Sequence, residues 1–187
     1  MKKILLLAGV ATMVTMNATA FDMMNMHDIK PYVGMDYIYS YADYKDVARK
    51  PKRNYNSIEG NFGMQMWQYF GPEFYYQYAF KRTSFKGDER LKNRFFSYGM
   101  DMMGYLPLGC EGTYNLLGSV GLGGYNVKTS QYGESNDTNK VGYRFGLGAM
   151  YNFTDNMSLR LMGRYSYVGT RYLDNLWEMT AGLRYSF

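Results

Sequence analysis

The chain has 187 residues, 47% hydrophobic and 18% aromatic, with a formal charge of +5. That length suits one domain, and so mild a charge gives no ground for a nucleic-acid partner. The single cysteine, Cys110, excludes an internal disulfide, and the single histidine, His27, excludes a multi-histidine metal site.

Met1-Lys2-Lys3 is a short basic start, Ile4 to Val14 an apolar run, and Ala18-Thr19-Ala20 a small-residue cleavage site. Together they predict a signal peptide over residues 1–20, cut before Phe21. The apolar run is too short to span a bilayer as a helix, and no cysteine follows it to carry a lipid anchor. Nothing downstream is apolar for the roughly 18 residues a spanning helix needs. An exported chain with no such helix is expected to be either free of the membrane or a barrel within it. The next stretch, Phe21 to Ile29, gathers Met23, Met24, Met26 and His27. Thioethers beside an imidazole can hold copper(I). A lead-in to the first strand of a chain with 16 methionines is the better account of the tract, so no metal or cofactor is assigned.

From here on the hydrophobic pattern has period two, the mark of strands whose side chains alternate between faces. Strand one, Tyr32 to Tyr41, sets Val33, Met35, Tyr37, Tyr39 and Tyr41 against Gly34, Asp36, Ile38 and Ser40. A polar loop, Ala42 to Tyr55, follows with Lys45, Arg49, Lys50, Lys52 and Arg53. Strand two, Asn56 to Trp67, opposes Ile58, Phe62, Met64 and Met66 to Glu59, Asn61, Gly63 and Gln65. After a short turn near Gln68 to Pro72, strand three, Glu73 to Lys81, alternates Phe74, Tyr76, Tyr78 and Phe80 with Glu73, Tyr75, Gln77, Ala79 and Lys81. A second polar loop spans Arg82 to Asn93 and carries Lys86, Arg90 and Lys92.

Strand four, Arg94 to Leu106, puts Phe96, Tyr98, Met100 and Met102 on one face and Ser97, Gly99 and Asp101 on the other. A turn is expected at Leu106 to Gly109. Strand five, Thr113 to Val127, places Leu116, Val120 and Leu122 opposite Ser119, Gly121, Gly123 and Tyr125. A third polar loop is expected over Lys128 to Lys140. Strand six, Val141 to Asn152, carries Arg144 among glycines on its polar face. Phe153 to Asn156 is a tight turn of the Asp/Asn type. Strand seven, Met157 to Val168, has Arg160 and Arg164 on its polar face, and a loop from Gly169 to Asn175 leads to the last strand. That strand, Leu176 to Phe187, sets Trp177, Met179, Ala181, Leu183, Tyr185 and Phe187 against Glu178, Thr180, Gly182, Arg184 and Ser186.

Eight segments of about ten residues, joined alternately by long polar and short connections, predict an all-β, eight-stranded antiparallel up-and-down transmembrane barrel over residues 21–187. The mean hydropathy of −0.41 is no objection, since half of a barrel's residues face a polar interior. The polar faces predict an interior charge network: Asp36, Glu59, Glu73, Asp101 and Glu178 against Lys81, Arg144, Arg160, Arg164 and Arg184. Eight strands leave an interior just wide enough for side chains to fill, so the balanced set reads as a plug rather than a conduit.

The run Phe153 to Arg160, the following Arg164-Tyr165 and the ending Gly182 to Phe187 resemble the small eight-stranded outer-membrane barrels: the OmpA-like transmembrane domain and its OmpX/Ail and opacity-protein relatives. The resemblance covers nearly all of the chain after the leader. It implies insertion in the outer membrane of a Gram-negative bacterium, contact with outer-membrane lipid and lipopolysaccharide, and an assembly signal at Tyr185 and Phe187 read by the barrel-assembly machinery. It carries no single activity. Barrel enzymes that remodel lipid A use a histidine near the outer rim, and His27 falls at the other end of this topology, so no enzyme is expected. The first two loops add a binding expectation: Lys45, Arg49, Lys50, Lys52, Arg53, Lys86, Arg90 and Lys92 could meet a host-surface polyanion or the resident lipopolysaccharide phosphates. The resulting expectation is a monomeric surface or structural barrel with adhesive basic loops; the alternative is a small, low-conductance porin-like channel.

Overall fold

A computed structural model describes residues 29–43, 54–66, 69–80, 82–86, 89–108, 113–131, 134–168 and 175–187; for 82–86, 89–94, 127–131 and 134–138 it is the backbone that is described. The described elements are all strands: β1 Ile29–Asp43, β2 Asn54–Met66, β3 Phe70–Ala79, β4 Arg82–Lys86, β5 Glu89–Leu108, β6 Tyr114–Gln131, β7 Glu134–Asn152, β8 Met157–Tyr167 and β9 Asn175–Ser186. Every pairing is antiparallel, in the order β3-β2-β1-β9-β8-β7-β6-β5, and β3 also pairs β5, which closes the ring. β4 continues β3 along the same partner, β5. The register slips by one residue between Tyr78↔Phe96 and Arg82↔Asn93, the signature of a bulge. β3 and β4 are therefore two halves of one barrel strand, and the barrel has eight.

Closure follows from what surrounds the sheet. Met179 is 73% exposed while its neighbour Glu178 is 2% exposed, and β8 and β9 repeat that alternation along their lengths. The molecule is thus oily outside and charged inside, the reverse of a water-soluble sandwich. Hydrocarbon leaves no solvent to satisfy an open strand edge, so a closed ring is the arrangement that survives there. Aromatics gather at both ends of the outer face. Tyr41, Tyr98, Tyr143, Tyr167 and Trp177 lie toward the longer connections, and Tyr114, Tyr151, Tyr185 and Phe187 toward the shorter ones. Amphipathic rings favour the two membrane–water boundaries.

The turns are stitched locally. Tyr69 N donates to Met66 O at 3.2 Å between β2 and β3. Between β7 and β8, Phe153 N and Thr154 N both donate to Met157 O, and Met157 N donates to Thr154 Oγ1 at 2.9 Å. The last strand is held at its end by Phe187 N donating to Pro31 O at 2.9 Å. Inside, an apolar cluster of Ala42, Tyr55, Ala79, Phe95, Tyr125, Val168 and Leu176 fills the loop end. A second cluster, Met103, Tyr105, Leu117, Met150 and Met162, occupies one side of the turn end. The charged residues lie between them.

Several expected boundaries are corrected. The segments read as loops at Arg82 to Asn93 and Lys128 to Lys140 are largely strand: β4 pairs β5 out to Lys86↔Glu89, and β6 pairs β7 out to Gln131↔Glu134. Both stretches are composed mainly of polar residues, so no hydrophobic alternation marks them as strands. The turn expected at Leu106 to Gly109 begins later, because Pro107 lies inside β5 opposite Asn115. β3 starts at Phe70 rather than Glu73, shortening its turn.

Candidate functional site

The lumen is built from side chains at alternate positions of the strands. Its carboxylates Asp36, Glu59, Glu73 and Asp101 come from β1, β2, β3 and β5, and its arginines Arg144, Arg160, Arg164 and Arg184 from β7, β8 and β9. All are buried. Asp36 lies directly opposite Glu59, and Glu73 directly opposite Asp101. Like charges in such positions repel, and arginines reaching from the far wall separate them.

Arg144 donates to Asp101 through Nε, 2.9 Å from Oδ2, and through Nη2; its Nη1 donates to Glu59 Oε2 at 2.9 Å. Arg160 donates to Asp36 through Nε, 3.0 Å from Oδ1, and through Nη2; its Nη1 donates to Glu73 Oε2 at 2.6 Å. Arg164 Nη1 donates to Glu59 Oε1 at 2.7 Å, and its Nη2 lies 3.5 Å from Asp36 Oδ2. Three guanidinium groups thus bridge four carboxylates. Forked donors suit this work because one planar group can serve two acceptors at fixed angles. Neutral groups complete the shell: Asn61 Nδ2 donates to Asp36 Oδ2, and Tyr105 OH donates to Tyr32 OH, which donates to Glu73 Oε2.

Each lumen arginine stands opposite a glycine on a neighbouring strand: Arg144 opposite Gly121, Arg160 opposite Gly182, Arg164 opposite Gly146 and Arg184 opposite Gly34. Two of these glycines lie beneath an ion pair. Gly121 is flanked by Asp101 and Arg144, and Gly182 by Asp36 and Arg160. A Cβ at Gly182 would land on Asp36 Oδ1, and one at Gly121 on Asp101 Oδ1.

Two expected members stand apart from the lattice. Glu178 makes no ion pair with a described residue; its Oε1 accepts from Gln77 Nε2 at 2.7 Å and Ser40 Oγ at 3.1 Å. Arg184 likewise pairs with no described carboxylate. It lies 3.7 Å over the Tyr32 ring, and its Nη2 donates to Gln65 Oε1 at 2.8 Å. Parity placed both residues inside but could not tell which partner each would reach. Lys81 lies outside the described residues, as do Lys45, Arg49, Lys50, Lys52 and Arg53, the leader 1–20, the Met23 to His27 tract and Cys110. Lys86 lies on β4, and Arg90 and Lys92 on β5, so these three are strand rather than loop residues. Tyr185 and Phe187 lie on the outer face with ring centroids 5.2 Å apart.

Sequence reasoning set Tyr75 and Tyr125 on the polar faces but left Tyr32 and Tyr105 out of the lumen. Arg144 lies 3.4 Å over the Tyr75 ring, and Tyr32, Tyr105 and Tyr125 are buried. Their parity was the available signal. It also missed a lipid-facing depression where Gly104, Gly118 and Gly163 bare the backbone around Leu147, itself 76% exposed. Among the described residues no group of three His, Cys, Asp or Glu side chains could hold a metal.

A model of the outer membrane protein beta-barrel domain family matches residues 5–187. No curated protein matches at the sequence level. Among solved structures, Neisserial surface protein A is similar with 15% identity and a TM-score of 0.62, over 85% of this chain and 97% of that one. Ail of Yersinia pestis is similar with 17% identity and a TM-score of 0.59, over 86% and 98%. OprG of Pseudomonas aeruginosa is similar with 12% identity and a TM-score of 0.60, over 86% and 97%.

Proposed function

Because the chain belongs to the outer membrane protein beta-barrel domain family, we propose that it is a monomeric surface or structural protein of a Gram-negative outer membrane, with a filled, non-conducting interior. The observation that carries this reading is the bridging of four lumen carboxylates by Arg144, Arg160 and Arg164 beneath an apolar cap. A water-filled channel needs a continuous polar path. Here the polar centre is occupied by paired side chains and its loop end by Tyr55, Phe95, Tyr125 and Leu176. The longer connections face the exterior in this reading, as in barrels of this kind. It includes no catalysis, since the central carboxylates are engaged with arginines rather than poised for proton transfer.

Adhesion to a polyanion is the finer part of the proposal. Ail of Yersinia pestis has been solved in complex with the heparin analogue sucrose octasulfate. The support in this chain is its own cluster of cations at Lys45, Arg49, Lys50, Lys52 and Arg53, which would attract sulfates through their field.

Planar-bilayer recording on the refolded protein tests the filled interior. No steady conductance steps are expected, and reproducible ion-selective steps would replace this reading with a small channel. Retention on immobilised heparin tests adhesion. Substituting the five cations with serine should abolish it, and unchanged retention would remove adhesion from the assignment.

A further inference from the structure

Of the five buried carboxylates in the described lumen, Glu178 is the one without an ion pair. It stands on β9 directly opposite Arg164 of β8, but Arg164 extends away from it to Glu59 Oε1 at 2.7 Å. The other guanidinium nearby, Arg144, is engaged with Glu59 and Asp101. Neither has charge to spare, because the lattice already sets four carboxylates against three guanidinium groups. Arg184 lies at the turn end over the Tyr32 ring and does not reach Glu178. A buried charge without a counter-charge is strongly unfavourable.

The hydrogen bonds of Glu178 are one-sided. Oε1 accepts from Gln77 Nε2 at 2.7 Å and from Ser40 Oγ at 3.1 Å. Oε2 is buried and accepts from no described residue. Hydroxyl groups in the same condition surround it. Thr180 follows two residues along β9 on the same face, and Ser166 is a diagonal neighbour on β8, one step past Arg164. Tyr125 reaches in from β6, close to Ser166 and within the field of Glu178. Thr180 Oγ1, Ser166 Oγ and Tyr125 OH are each buried without a hydrogen-bond partner among the described residues. One carboxylate oxygen and three hydroxyl oxygens, from residues at most 4% exposed, thus gather between the arginine lattice and the apolar cap. A rotated hydroxyl or a buried water would meet the hydrogen-bonding need of Oε2. Neither would meet its charge.

We propose that Glu178 Oε2, Thr180 Oγ1, Ser166 Oγ and Tyr125 OH bind a monovalent metal cation inside the barrel. Hard cations take oxygen ligands, and a single carboxylate balances a single unit of charge. A divalent ion would call for further carboxylates, and the other four are held by arginines. The ion would tie β9 to β8 and β6. It would sit beneath Leu176 and Val168 of the cap, out of contact with bulk water, so its exchange should be slow. The inference rests on the filled interior, whose own failure would show as conductance steps in the wild type whatever the cation result.

The test uses the full mature protein refolded into phosphatidylcholine vesicles, in sodium chloride or in choline chloride at equal ionic strength. Choline carries the same charge but presents no metal centre for oxygens to ligate. Urea unfolding is followed by tryptophan fluorescence. The folded-to-unfolded ratio of the wild type should be about tenfold higher in sodium, when sodium stands at roughly ten times its Kd. Glu178→Gln keeps the shape of the side chain without its charge and should lose the sodium dependence. Ser40→Ala, which touches only the Oε1 side, should keep it. If Glu178→Gln gives no heat-modifiable band, Thr180→Val takes its place and should weaken the dependence severalfold. Folded wild type passed into choline buffer should also carry sodium detectable by atomic emission, and the variant should not. Equal wild-type stability in the two salts, or an unchanged sodium dependence in Glu178→Gln, overturns the proposal and leaves a proton or a water on Oε2. Equal loss in Ser40→Ala also overturns it, since that would report a general loosening of the lumen.

Discussion

Asp36 on β1 and Arg160 on β8 are bonded across the intervening strand β9, and the residue of β9 beneath their contact is Gly182. Asp101 and Arg144 repeat the arrangement over Gly121 of β6. The acid and the arginine meet two strands apart because the residue between them has no side chain.

Gly182→Val is therefore expected to be disruptive. Its Cβ would occupy the position of the Asp36 carboxylate, and overpacking of this kind costs about 1–3 kcal/mol before any ion pair is lost. Gly60, on the lipid face, has nothing within 4 Å of its Cβ position, and Gly60→Ala should leave stability unchanged. Urea unfolding in lipid vesicles, followed by tryptophan fluorescence, compares the two. Equal midpoints would show that the glycine is not required for the crossing.

Arg144→Met should destabilise by about 3–5 kcal/mol, because it leaves Glu59 and Asp101 buried with a charge each and fewer partners. The triple variant Arg144→Met, Glu59→Gln, Asp101→Asn removes the stranded charges and should recover part of that loss. The same unfolding measurement decides it. A triple variant less stable than Arg144→Met alone would mean the arginine acts by filling space rather than by pairing.

The filled interior has a structural corollary in the lumen's width. Replacing Arg160 and Arg164 together with alanine removes two large buried side chains from the centre, while replacing Leu176 with alanine thins the apolar cap. Neither change alone is expected to conduct. The combined variant, if it still gives the heat-modified band, should show steady steps in a planar bilayer. Silence from the combined variant would mean that other side chains suffice to block the lumen.

Phe187→Ala should separate folding from assembly. The terminal ring packs edge-on against Tyr185 on the outer face, so its loss removes little from the core. Refolding in detergent should proceed as in the wild type. Incorporation into membranes that contain the barrel-assembly machinery should slow severalfold. Equal incorporation rates would detach Tyr185 and Phe187 from that role.

Much of the architecture was legible in the sequence because a strand's period of two is short and repeats. Ten residues such as Leu176 to Tyr185 already separate the lipid side from the lumen side. The extensions at Lys128 to Lys140 were illegible for the converse reason: among mainly polar residues, backbone pairing leaves no hydrophobic trace. Within the lumen, parity gave each charged residue its side but not its partner. Nothing local distinguishes Arg160, which meets two carboxylates, from Arg184, which lies over Tyr32. That difference depends on stagger around a closed ring, fixed only when β1 and β9 meet. The inward apolar residues Leu117, Met103 and Leu176 were equally placed by parity, and attention to charges alone passed them over.

The lattice divides by order along the chain: its acids arrive with β1 to β5 and its arginines with β7 and β8. A half-inserted sheet would strand four carboxylates, or three guanidinium groups, with nothing of opposite sign beside them. These charges find their partners only in a finished ring, so a sheet stopped halfway has no comfortable resting place.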